Sequence, residues 1–298
     1  MDAVSTERLR KSYQSCRVLH GIDLRVPTGS LYGFLGPNGA GKTTTIRILL
    51  GLLHASGGRV TVLGRDPWRD GASLRADIGY LPGELRLYDR LTGRATLAFF
   101  DAARRRDSRK EISRLADALD LDLTKRVRYY SRGMKQKLGL MVALAHRPQL
   151  LILDEPSMSL DPLVREVLLA ELRRAASEGR TVLFSSHSLS EVEQLCDWVA
   201  IVREGRLVEQ SRIELLRVKA LRRVEVVFGE HRADGPVPDG FRVLRRSESG
   251  IVGSWPGPVE PLLSWLAGQQ VQDVTISPPD LEDLFLAYYS DKAVEDRA

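Results

Sequence analysis

The sequence predicts an α/β protein, a largely parallel sheet with helices on its faces, followed by a small α+β appendage. Three observations predict it. Short β-branched or leucine-rich runs at residues 30–35, 150–153, 181–185 and 198–202 alternate with helical patterns. A glycine-rich run, Gly36-Pro37-Asn38-Gly39-Ala40-Gly41-Lys42-Thr43, follows the first of these and opens a helix bearing Ile46, Leu49, Leu50 and Leu53. The run at 150–153 ends in Asp154-Glu155, which sets two carboxylates at the strand edge where open α/β sheets hold ligands.

The remaining elements have local causes. Residues 85–148 offer helices and no convincing strand, so they read as a helical insertion between sheet strands. Within it, Ser108 and Glu111 form a capping-box pattern ahead of Ile112, Leu115, Ala116 and Leu119, which share one helical face. Asp161 before Pro162 is an N-cap with proline at the first helical position, and Gly179 is placed to stop that helix. Ser190 and Glu193 repeat the capping-box pattern, and Glu204-Gly205 reads as a hairpin turn. After residue 218 the texture changes. Strand-like segments at 224–228, 241–244, 251–255 and 271–276, with a loop holding Gly235, Pro236, Pro238 and Gly240, place a domain boundary near 220: residues 1–220, then 221–298.

Composition bounds the function. With 298 residues, 43% of them hydrophobic, the chain can bury one large core or two ordinary ones. The net charge of +5 hides an asymmetry: residues 1–220 carry 36 Lys and Arg against 26 Asp and Glu, whereas residues 221–298 carry 8 against 13. The longest apolar run, residues 138–145, falls far short of the roughly 18–20 residues needed to span a bilayer. The charged first twenty residues lack the apolar stretch of an export signal, so the expected location is the cytoplasm. Cys16 and Cys196 make neither a disulfide framework nor a metal motif. The run Arg104-Arg105-Arg106 with Arg109 and Lys110 has no interleaved aromatics on which bases could stack, so it reads as a solvated helix end, and nucleic acid is not an expected partner.

The glycine-rich run fits G-x-x-x-x-G-K-[ST] in its required context of strand, loop and helix. Glycines let successive backbone N–H groups curl around an oxyanion, and the helix N-terminus adds partial positive charge. Lys42 suits the β and γ phosphates of a nucleotide, and Thr43, followed by Thr44, offers a hydroxyl to Mg²⁺. Asp154 would hold Mg²⁺, directly or through water, and Glu155 would orient and polarise the attacking water. A lone Asp-Glu pair usually begins a helix; here Pro156 breaks the chain directly after it.

These residues resemble the ATP-binding cassette (ABC) ATPases, over roughly residues 4–215. Tyr130-Ser131-Arg132-Gly133-Met134-Lys135-Gln136-Lys137 resembles the family's signature motif, Ser159-Leu160-Asp161 its D-loop, and His187 its switch histidine. Tyr13 resembles the aromatic that stacks on adenine, and Ile78-Gly79-Tyr80-Leu81-Pro82 the strand leading into the Q-loop. Taken singly, Tyr13 is a strand aromatic, His187 a core histidine, and Ser131 with Gly133 a helix start. The resemblance implies that His187 contacts the γ phosphate and that Ser131 and Gly133 bind the γ phosphate held by an opposite subunit. The chain departs from the pattern where the Q-loop glutamine is usual: it has Gly83, then Glu84, a substitute metal contact at most. Arg132, Met134 and Met158 also depart from common residues.

The resemblance implies an ATP- and Mg²⁺-dependent ATPase that forms a homodimer around two ATP and drives a separate integral membrane permease, while sitting on the cytoplasmic face of the membrane. Residues 277–286, Ser-Pro-Pro-Asp-Leu-Glu-Asp-Leu-Phe-Leu, resemble the closing motif of bacterial drug- and antibiotic-resistance exporter ATPases, which makes export the expected direction. The same residues also read as a terminal helix burying Leu281, Leu284, Phe285 and Tyr288. The acidic appendage is expected to stabilise or regulate the dimer. A soluble ABC ATPase acting on ribosomes or DNA, and an importer subunit, are the alternatives.

Overall fold

The computed structural model describes residues 1–219, 221–229, 236–247 and 249–279. Contacts divide the chain into two compact units, Met1–Ser211 and Arg212–Ala298.

In the first unit the chain runs β1 (Asp2–Tyr13), β2 (Cys16–Ile22), β3 (Arg25–Pro27), β4 (Leu31–Leu35), α1 (Lys42–Leu49), β5 (Gly57–Val62), α2 (Gly71–Ala76) and β6 (Ile78–Leu81). Then come α3 (Gly93–Arg104), α4 (Arg109–Ala118), a 3₁₀ turn (Val127–Tyr129) and α5 (Arg132–Leu144). It closes with β7 (Leu150–Asp154), α6 (Pro162–Ser177), β8 (Thr181–Ser186), α7 (Leu189–Leu195), β9 (Trp198–Arg203) and β10 (Arg206–Arg212).

The central sheet has the order β10-β9-β4-β8-β7-β6, and the pairs β9–β4, β4–β8, β8–β7 and β7–β6 are parallel. Every residue of β4, β7 and β8 is buried. That is why these strands read as unbroken apolar runs: helices cover both faces of a parallel sheet. Gly205 and Glu204, both at positive φ, make the expected turn between β9 and β10. Residues 85–148 contain helices and no strand.

A second, antiparallel sheet, in which β1 pairs with β2, β3 and β5, carries no sequence expectation of its own. Its alternation is broken by register shifts within β1, and Arg8 stands at positive φ against Gly58, where any Cβ would strike the Arg8 carbonyl oxygen at 2.4 Å. Val4, Leu9, Leu19 and Ile22 nevertheless join Tyr32, Phe34, Ile46 and Ile152 in one core.

Two capping expectations fail and one holds. Ser108 makes no side-chain cap: its backbone is not extended, its N–H goes to Asp101 Oδ2 at 2.9 Å, and Glu111 is drawn into ion pairs with Arg114 and Arg174. The helix expected at Ser190 begins at Leu189, which puts Ser190 inside it. Asp161 caps α6 by accepting from the Val164 N–H at 2.9 Å, and Gly179 follows the helix at positive φ.

Three cations of the basic run in the insertion have local partners. Arg104 donates to the Val142 carbonyl and lies over Phe100, Arg106 pairs with Asp77, and Arg109 pairs with Asp107.

The second unit contains α8 (Ile213–Lys219), β11 (Arg222–Phe228), β12 (Arg242–Arg246), β13 (Gly250–Trp255), α9 (Val259–Ala267) and β14 (Val271–Pro279). Its antiparallel sheet has the order β12-β13-β11-β14. Val224, Val226, Phe228, Phe241, Ile251 and Trp255 pack with Leu262 and Leu266 of α9. Helix α8 falls with this unit, so contacts divide the chain slightly before the expected residue 220. Gly235 and the closing motif from Asp280 onward lie outside the described residues.

Candidate functional site

The C-terminal ends of β4, β6 and β7 converge on a cleft of about 610 Å³. It is lined by Asn38, Gly39, Gly41, Lys42, Thr43 and Thr44 of the glycine-rich loop and α1, by Asp154 and Glu155 after β7, and by Gly83 and Glu84 after β6. Gly36 and Ala40 form the back of the loop. A Cβ on Gly36 would meet the Val202 carbonyl oxygen at 2.4 Å, and the Ala40 carbonyl accepts from Gly205 N–H at 3.0 Å. Gly39 and Gly41 take positive φ, +82° and +101°, which L side chains rarely adopt. Gly41 thereby caps α1 and turns the first helical N–H groups toward the cleft.

Lys42 is 6% exposed. Its ammonium donates to the Gly36 and Pro37 carbonyls and lies 3.3 Å from Glu155 Oε1. The other oxygen of Glu155, Oε2, is 2.7 Å from His187 Nδ1. Glu155 itself stands at φ 51°, a strained backbone for a non-glycine residue. Its N–H is held there by the carbonyl and hydroxyl of Ser185 at 3.2 and 3.1 Å.

Beside this trio, Thr43 Oγ1 donates to Asp154 Oδ2 at 2.9 Å, and Ser185 Oγ donates to Asp154 Oδ1 at 2.6 Å. An adjacent hydroxyl and carboxylate are hard oxygen donors of the kind Mg²⁺ takes alongside substrate phosphates. No group of three or more His, Cys, Asp or Glu among the described residues forms a self-sufficient metal site. The adjacent Thr43 hydroxyl and Asp154 carboxylate fit a cation that arrives with a polyphosphate. Tyr80 lines the same cleft, and burial, followed by the Asp154 charge, pushes its hydroxyl up to about 12.

Other expected site residues lie elsewhere. Ser131 caps α5 by accepting from Met134 N–H at 3.2 Å, and neither it nor Gly133 lines the cleft of Lys42. Gly133 stands next to the D-loop, where a Cβ would meet the Ser159 carbonyl oxygen at 3.2 Å. Asp161 spends its carboxylate on the cap of α6. Tyr13, 43% exposed at the tip of the β1–β2 hairpin, carries the Lys11 ammonium 5.0 Å above its ring, and Val18 lines the cleft there. Glu84 accepts from Arg86 at 2.9 Å. A side chain at Gly83 would point toward Asp154, its Cβ 3.5 Å from Oδ2. Ser185, Tyr80 and Arg47 are cleft or near-cleft residues that sequence reasoning passed over; the tandem serines before His187 were the available signal for the first.

Comparison with known proteins decides the family. The family model described as ABC transporter matches residues 19–158. The daunorubicin resistance ATP-binding protein DrrA3 of Streptomyces coeruleorubidus is 33% identical over 301 residues, 95% of each chain. The chain belongs to the ABC transporter ATP-binding proteins. Another ABC relative, the bacitracin transport ATP-binding protein BcrA of Enterococcus faecalis, is 37% identical over 72% of this chain and 70% of its own. Among solved structures, an ATP-binding subunit of an ABC transporter superposes with TM-score 0.68 at 29% identity, covering 72% of this chain and 92% of that one. A bacterial Atm1-family ABC exporter with ATP bound gives 0.65 at 28% identity, covering 72% of this chain and 40% of that one. The expected fold, an ABC-type P-loop core, stands, and so does the expected activity: this ABC protein is an ATP-binding and ATP-hydrolysing transporter subunit.

Proposed function

We propose that the chain is the motor subunit of an exporter: two copies close around two Mg²⁺-ATP, and their opening and closing drives a separate membrane permease. The observation that carries this reading is a separation. Lys42, Thr43, Asp154 and Glu155 line one cleft, with His187 bonded to Glu155 beside it, while Ser131 and Gly133, at the N-terminus of α5, do not line it. A helix N-terminus is an anion site, and a second copy would supply it across the first copy's cleft.

In that arrangement the N–H groups of residues 39–44 and the Lys42 ammonium bind the phosphates, and Lys42 exchanges its loop carbonyls for phosphate oxygens. Mg²⁺, when bound between Thr43 and Asp154, would neutralise charge developing on the β and γ phosphates. Glu155 holds the attacking water and takes its proton as the water oxygen bonds to the γ phosphorus and the bond to the bridging oxygen breaks. His187 fixes the Glu155 carboxylate and faces the γ phosphate. Closed-state contacts to the γ phosphate are lost on hydrolysis, so the dimer opens. Tyr13, a cation-bearing aromatic at a hairpin tip, is the adenine platform.

No helix among the described residues is long and apolar enough to cross a membrane, so force must reach a bilayer through a partner. A groove of about 300 Å³ between the core and the insertion supports this. It is lined by Leu52, Pro82, Leu85, Leu87, Phe100 and Val142 beside Arg75, Arg86 and Arg104, and it adjoins Gly83 and Glu84. It suits an apolar, acid-flanked permease segment, and in this reading the subunit sits on the cytoplasmic face. Export is favoured by the resistance and transport names of the relatives. The second unit, residues 221–298 in this reading, stabilises or regulates the dimer. Affinity purification from membranes tests the whole: a hydrophobic partner of several spans supports it, and ribosomal or DNA partners would overturn it.

A further inference from the structure

Consecutive side chains of a strand face opposite ways, and β8 ends in two buried serines, Ser185 and Ser186. Ser185 turns toward β7. It donates to Asp154 Oδ1 at 2.6 Å and accepts from Glu155 N–H at 3.1 Å. Ser186 turns the other way, donating to Glu191 Oε2 at 2.8 Å and accepting from Ser188 N–H at 2.9 Å, so it pins the loop that carries His187.

We propose that Ser185 is a positioning residue for the divalent cation and for Glu155, and so sets the metal dependence of the nucleotide site. This rests on the reading that Thr43 and Asp154 hold Mg²⁺. A carboxylate beside a metal has two oxygens, and which one faces the cation depends on what holds the other. Among the described residues the Asp154 side chain has two hydrogen-bond partners, Ser185 on Oδ1 and Thr43 on Oδ2. Asp154 is 2% exposed and Ser185 fully buried, so this is a charge-assisted bond that water does not replace. Ser185 anchors Oδ1 and thereby leaves Oδ2 with Thr43 at the mouth of the cleft. The residue that would otherwise reach Asp154 from the opposite side, Gly83, has no side chain. The same hydroxyl holds the N–H of Glu155 at its strained φ, so one buried oxygen orients the metal carboxylate and the water-activating carboxylate together.

The experiment compares Ser185→Ala, Ser185→Thr and Asp154→Asn in the full chain, with melting curves showing that each is folded. Affinity for a fluorescent ATP analogue is measured in EDTA and across a Mg²⁺ titration, alongside kcat and KM. Ser185→Ala should bind the analogue normally in EDTA, need about tenfold more Mg²⁺ for its metal-dependent gain in affinity, and lose kcat more than KM. Ser185→Thr, which keeps the hydroxyl, should restore the Mg²⁺ midpoint. An unchanged midpoint in Ser185→Ala beside a shifted one in Asp154→Asn would overturn the proposal alone. An unshifted Asp154→Asn would overturn the metal assignment and this proposal with it.

Discussion

His187 Nδ1 lies 2.7 Å from Glu155 Oε2, so the histidine grips the carboxylate oxygen that does not face Lys42. The imidazole therefore orients the carboxylate proposed as the base. Glu155→Gln should retain ATP binding, lose hydrolysis by about 10²–10⁴-fold, and elute as a dimer with ATP on size-exclusion chromatography. His187→Ala should lower kcat by about tenfold or more with ATP affinity nearly unchanged. Undiminished turnover in Glu155→Gln would remove the assigned role.

Residue 83 has room for a side chain. The nearest atoms to a Cβ there belong to Asp154, at 3.5 Å and beyond, which is ordinary contact. Gly83→Gln should fold with a near-native melting temperature and add an amide oxygen beside Asp154, the carboxylate proposed to hold the metal. The expected outcome is a few-fold lower Mg²⁺ requirement for ATPase activity, read from a Mg²⁺ titration at saturating ATP.

His146 makes the fold acid-sensitive. Burial first, then Arg104 and Arg106, hold its imidazole at about 4 against an ordinary value of 6.5, with Asp77 opposing them. Between those values the unfolded chain takes up a proton that the folded chain refuses. The contribution is complete above pH 6.5 and is lost as pH falls toward 4, about 3 kcal/mol in all. Urea unfolding at pH 8 and pH 5 should show the loss, and His146→Leu should flatten it.

Four charges join the insertion to the core. Arg114 of α4 makes a two-pronged pair with Glu171 of α6 at 2.7 and 2.6 Å, and both Arg114 and Arg174 bond Glu111. Burial raises the Glu111 carboxyl, but these guanidinium hydrogen bonds prevail and bring it down to about 2. Its contribution is present above pH 4.5 and is lost as pH falls through 2, a window below that of His146. Arg114→Met should cost about 2 kcal/mol in chemical denaturation, because buried Glu171 loses its two-pronged pair and keeps only Arg174 at 2.9 Å, while Arg114 itself is partly solvated. Adding Glu171→Gln should recover part of that loss in a double-mutant cycle.

The contiguous parts of the site were legible because a glycine loop and a carboxylate pair each act through neighbours in sequence. What escaped depends on pairing at a distance. Ser185 is only a hydroxyl after an apolar run until β7 and β8 pair and set it opposite Asp154. The antiparallel sheet escaped because the register shifts of β1 destroy the two-residue period by which strands are read. The capping boxes misled for a related reason: Glu111 suits its own helix N-terminus, yet arginines from α4 and α6 compete for it more strongly.

Strand β4 takes both its neighbours, β8 and β9, from residues well beyond the stretch that the family model matches. During synthesis, the segment ending in the glycine loop leaves the ribosome long before either flanking strand exists. The nascent chain therefore cannot close its nucleotide pocket until residue 203 has emerged, and its apolar central strand must stay shielded until then. Ribosome-stalled chains cut short between β7 and β8 should bind no ATP and should recruit chaperones, although they already contain the glycine loop, Asp154 and Glu155.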